Sequence, residues 1–111
     1  FVLITTEGNG FPMQWGAAAP AGVLADRNAE AARLQAMSKA DLAAAVGKAF
    51  DNIISVVQGM DETARAKQVR FFGSPARTDI AIQMAIVDMH EHLGQMIAYA
   101  RSNNIVPPWS K

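Results

Sequence analysis

SKADLAAAVGKAFDNIISVVQG, residues Ser38 to Gly59, decides the fold class. Leu42, Ala45, Val46, Ala49, Phe50, Ile53, Ile54 and Val57 recur at the i, i+3, i+4, i+7 spacing of one helical face, while Lys39, Lys48, Asp51, Asn52 and Ser55 occupy the other. Ser38 stands where an N-cap belongs, Asp41 follows three residues on in the manner of a capping box, and Gly59 ends the pattern. This is a long amphipathic helix packed on one side.

A second long helix is expected from Thr78, as its cap, to about Ser102. Asp79 suits its first turn, and Asn103 and Asn104 can take the left-handed conformation at its end. Pro107-Pro108 forbids continuation. A shorter helix fits Asp26 to Gln35. Phe1 to Glu7 reads as the end of a helix stopped by Gly8-Asn9-Gly10, and Phe11 to Gly22 as a loop or short helix anchored by Trp15. Asp61 to Gly73 reads as a polar connection with Val69, Phe71 and Phe72 as anchors, followed by a turn at Gly73-Ser74-Pro75. With no period-2 alternation read anywhere in the chain, the expected class is all-α: one domain over residues 1–111, a helical bundle of two long helices plus short ones.

Composition narrows the chemistry. Ten basic residues balance ten acidic ones, which gives no field to gather nucleic acid or an anionic membrane. Arg65, Lys67 and Arg70 lie near Asp61 and Glu62, a pattern that fits a solvated face better than a nucleic-acid patch. There is no cysteine, hence no disulfide, thiolate zinc site or cysteine nucleophile. No run approaches the ~18 apolar residues of a membrane span. Neither a G-x-S-x-G elbow nor a phosphate-cradling glycine loop occurs. A chain beginning at Phe1 suggests a fragment or a processed mature protein; cytoplasmic residence is the expectation, export the alternative.

Asp88-Met89-His90-Glu91-His92 remains, in the middle of the last helix. At about 100° per residue, His92 falls within the apolar arc and Asp88, one turn earlier, lies roughly 40° away at its edge. Side chains at i and i+4 can share one metal ion. His90 lies on the far edge of the arc and is a further, weaker candidate. Gln95 and Tyr99 continue the line of Asp88 and His92 and could support the ligands. The plain alternative is a core histidine whose ring N–H is accepted by Asp88.

Three stretches together resemble a known pattern: His90-Glu91-His92-Leu93-Gly94-Gln95, Ile97-Ala98-Tyr99-Ala100-Arg101 and Ile105-Val106-Pro107-Pro108-Trp109-Ser110. They are similar to the C-terminal signature of the DinB-like superfamily of metal-binding four-helix bundles. Thr6-Glu7-Gly8-Asn9, with Gly16 and Pro20, is similar to the end of that family's second helix and its following loop. The resemblance implies a helix before Phe1 and a divalent metal, zinc or nickel, held by three histidines, one from the second helix and two at i and i+4 in the fourth. His92 matches the last of these. Asp88 and Ile4 stand at the other two, so a weak site is expected, with Glu7 a possible extra ligand and Asp88→His a strengthening change. The family implies a metal-dependent transferase or hydrolase. The alternative is a non-catalytic bundle acting as a binding or oligomerisation module. A three-helix remnant would expose an apolar stripe, so a homodimer is expected.

Overall fold

Ser38 caps the central helix as its position suggests: its Oγ accepts the Asp41 amide at 3.1 Å and donates to Asp41 Oδ2 at 2.7 Å. In the computed structural model, which describes residues 1–106 and Trp109, the elements run in order α1 (Val2–Gln14), α2 (Arg27–Gln35), α3 (Lys39–Gly59), α4 (Glu62–Ala66), β1 (Gln68–Phe71), β2 (Ser74–Arg77) and α5 (Thr78–Ser102). Asp26 caps α2 by accepting the Ala29 amide at 2.8 Å. The expected stop at Pro107-Pro108 lies outside the described residues. The end of α5 is made before it: Asn104 takes φ 57°, and the amides of Asn104 and Ile105 bond back to Arg101 and Ala100.

Three sequence expectations are corrected. First, α1 does not stop at Gly8-Asn9-Gly10 but runs on to Gln14. Gly8 lies against α3, where a Cβ would stand 3.1 Å from that of Ala49; Asn9 is buried and bonded to Glu30. The stop is Gly16, at φ 99°, with Gly16 N bonded to Met13 O and Ala17 N to Pro12 O, the paired bonds of a Schellman ending. Second, the polar connection expected after α3 holds a short helix and an antiparallel hairpin; the fold is mostly helical, as the all-α expectation has it, with this small two-stranded sheet added. Gln68-Val69-Arg70-Phe71 does alternate, and Phe72-Gly73, both at positive φ, form its two-residue turn. Third, Thr78 is the first residue of α5 and not its cap; its hydroxyl instead donates to Lys67 O at 3.0 Å, tying α5 to the end of α4.

The core sits where α1, the hairpin and the first half of α5 meet: Phe11, Trp15, Phe71, Ala81 and Ala85. Phe11 is the hub, its ring 5.2 Å from that of Phe71 and 5.8 Å from that of Phe72. Ala49 faces α1 and is buried, while Phe50 and Ile54, on the other flank of the same apolar face, stay exposed. Arg65 reaches back to the end of α3 and donates to the carbonyls of Val57 and Met60, which accounts for a basic residue in this loop.

The α1–α3 contact gives a prediction with opposite signs at two glycines. Gly10 has open space around it, so Gly10→Ala should stabilise by up to ~1 kcal/mol through helix propensity. At Gly8 the crowding against Ala49, whose Cβ moves only with its helix, costs about 1–3 kcal/mol and outweighs that gain. Urea unfolding of the two variants should shift the midpoint in opposite directions.

Candidate metal centre

α1 carries Glu7 alongside the middle of α5. His92 Nε2 lies 2.9 Å from Glu7 Oε2 and 3.6 Å from Asp88 Oδ2. Glu7, Asp88 and His92 each offer one ligand atom, all within 4.8 Å of one another, and none of the three side chains is freely exposed. Side-chain exposure is 10% for Glu7, 15% for His92 and 25% for Asp88.

Each position follows from local structure. Asp88 and His92 converge because they are one turn apart on α5. Glu7 is three residues beyond Ile4, hence on the same face of α1. Ile4, the position that the family resemblance marks for a ligand, is buried as an ordinary apolar residue. Its neighbours Thr5 and Thr6 bury their hydroxyls by donating to the carbonyls of Phe1 and Val2 within their own helix.

The other expected site residues are not brought in. His90 is exposed, with its Nδ1 3.0 Å from the Ile86 carbonyl. Gln95 and Tyr99 are exposed, Tyr99 at 73%, while Met96 and Ile97 beside them are half-buried; neither Gln95 nor Tyr99 bonds to the cluster.

Arg27, from the start of α2, donates to Glu7 Oε1 at 2.9 Å. Glu7 is thus shared between an arginine on its outer oxygen and His92 on its inner one. Arg27 was not singled out in the sequence, since nothing there says that α2 returns to α1. Glu30 does this: buried, it takes Asn9 of α1, the Leu24 amide and a two-pronged bond from Arg33. The Arg33 guanidinium holds the Glu30 carboxyl below the usual carboxylate range; burial opposes this, and the Leu24 and Asn9 bonds assist it.

The residues present fit a divalent ion. Asp88 Oδ2 is buried with no hydrogen-bond partner. A buried carboxylate oxygen without a partner is costly, and a cation beside it removes the cost. Two ligands of one ion with bonds of about 2.1 Å lie roughly 3.0–3.4 Å apart, and the separations of 2.9 and 3.6 Å from His92 Nε2 bracket that range. No family model, curated protein or solved structure matches the chain. No helix among the described residues is long and apolar enough to cross a membrane.

Proposed function

We propose that this chain is a divalent-metal-binding helical domain of DinB-like type, in which Glu7, Asp88 and His92 are the protein ligands. The observation that carries the reading is Asp88 Oδ2, buried and unpartnered beside the inward imidazole. Two carboxylates and one imidazole make a harder donor set than three histidines. Such a set suits manganese and ferrous iron as well as zinc, and depends less on the nitrogen donors that nickel and copper favour. Three protein ligands leave positions for a substrate, the arrangement of catalytic rather than structural sites. A bound ion there supplies Lewis acidity for a transferase or hydrolase reaction. Glu7 and Asp88 hold charge against it, and α1 and α5 shield it from bulk water. Calorimetric titration of manganese(II) and zinc(II) into chelator-treated protein should show one ion per chain; an absence of binding by both ions would overturn the proposal.

A second reading, an oligomerisation module, is favoured by a different observation. A groove between α3 and α5, floored by Phe11 and Trp15, is lined by Phe50, Ile54 and Ile86, each more than a third exposed. Leu93, seven residues on from Ile86 and so on the same side of α5, is exposed as well. A patch of this kind marks an interaction surface, and a chain without net charge does not repel its own copy. The expected result is a dimer by light scattering at micromolar concentration, converted to monomer by Ile54→Lys with Ile86→Glu. A wild-type monomer would count against it.

A further inference from the structure

A cavity of about 710 Å³ opens beside the metal cluster and meets it at Glu7. Its walls are α1, the start of α2 with the preceding residues, and the hairpin tip. Met13, Leu24, Phe11 and Phe72 make it largely apolar, and its charged lining residues are Glu7, Arg27 and Glu30. Glu30 is already matched by Arg33, at 2.6 and 2.8 Å, so the charge balance of the cavity rests on Glu7 and Arg27.

That balance changes when a metal arrives. Without an ion, Glu7 and Asp88 carry two negative charges and Arg27 is the cation bonded to Glu7. A divalent ion neutralises both carboxylates and leaves Arg27 with a positive charge and no counter-charge, at the mouth of an apolar cavity. The Arg27 side chain is 64% exposed, and an ion pair so exposed is weak enough to exchange partners. A guanidinium presents paired N–H donors that match a planar carboxylate.

We infer that this cavity binds a small carboxylate with a short apolar body, that Arg27 holds the carboxylate, and that binding is coupled to occupation of the Glu7–Asp88–His92 centre. The inference rests on the metal-binding reading and adds the ligand class to it. A monocarboxylate fits better than a phosphate ester, because one positive charge is left over. The ligand's apolar part lies against Met13, Leu24 and Phe72. By linkage, metal and carboxylate must each tighten the other by the same factor.

The experiment titrates hexanoate, and hexanol as a neutral control, into chelator-treated and manganese-loaded protein, by calorimetry and with amide chemical shifts for the zinc-loaded form. Hexanoate should bind about tenfold more tightly to the loaded protein, within the usual span of coupling between sites. Hexanol should show no such difference, and the amides of Met13 and Leu24 should shift. In Arg27→Gln, metal affinity should hold or rise, since a competitor for Glu7 is gone, while the metal-dependent gain for hexanoate should vanish. Metal binding with equal hexanoate affinity in both forms overturns this inference alone. A gain that survives Arg27→Gln also overturns it, because the metal and not Arg27 then holds the carboxylate. If neither manganese nor zinc binds, this inference and the metal-binding proposal fall together.

Discussion

His92→Ala is expected to weaken manganese(II) and zinc(II) binding by more than the roughly 10- to 100-fold that follows loss of a metal ligand's supporting partner. His92 is the only nitrogen donor of the cluster and the atom on which both carboxylates converge, at 2.9 and 3.6 Å. Its loss leaves two carboxylates that repel one another. Glu7→Gln and Asp88→Asn should each weaken binding too, since each removes one negative charge from a partly buried site. Asp88→His should move the preference toward zinc and nickel, because it exchanges an oxygen donor for a nitrogen donor at the same i, i+4 position. The check is calorimetry on the four variants. Equal affinities throughout would leave His92 as a core histidine bonded to Glu7.

Phe11→Ala should destabilise the fold by about 3–5 kcal/mol, the range for emptying a buried aromatic site. Phe11 is 1% exposed and touches three aromatic rings: Trp15 just past the end of α1, Phe71 at the end of β1 and Phe72 in the hairpin turn. Its neighbours are fixed from different elements, so the space left cannot collapse easily. Ile54→Ala, at a position 52% exposed, should cost well under 1 kcal/mol in the monomer. Urea unfolding would show the contrast as a shift in midpoint at similar slope. A loss at Phe11 below about 1 kcal/mol would place the core elsewhere.

The second prediction also shows why part of the fold escaped a reading of the sequence. α2, α3 and α5 carry their own boundaries: Asp26 and Ser38 cap α2 and α3, and Gly59 and Asn104 mark where α3 and α5 end. α1 carries a false stop. Glycine and asparagine at 8 to 10 look like a terminus, but Gly8 is there for close approach to Ala49 and Asn9 to reach Glu30. Both reasons are tertiary. The hairpin alternates over only four residues, and its turn has Phe72 at φ 48° where asparagine is the familiar signal. A bulky residue there is uncommon, and packing of Phe72 against Phe11 and Phe71 explains its presence.

The site divides in the same way. Asp88 and His92 are legible because helical periodicity is local. The arrangement of Glu7 with His92 spans 85 positions and depends on how α1 packs against α5, so the sequence could offer Glu7 only as a candidate. Gln95 and Tyr99 share a line with His92 on the helical wheel, yet a wheel does not show how far along its length a helix is covered. In this chain Met96 and Ile97 are half-buried, whereas Gln95 and Tyr99 stay exposed.

The most direct test is to add manganese(II) stepwise to isotopically labelled, chelator-treated protein and follow which amide signals broaden first. The account predicts that Glu7, Asp88 and His92 broaden together at low occupancy, from two helices far apart in sequence, while Asp61 and Glu62 are unaffected. Broadening centred on the exposed acidic residues of α4 and its cap, or on none in particular, would contradict it.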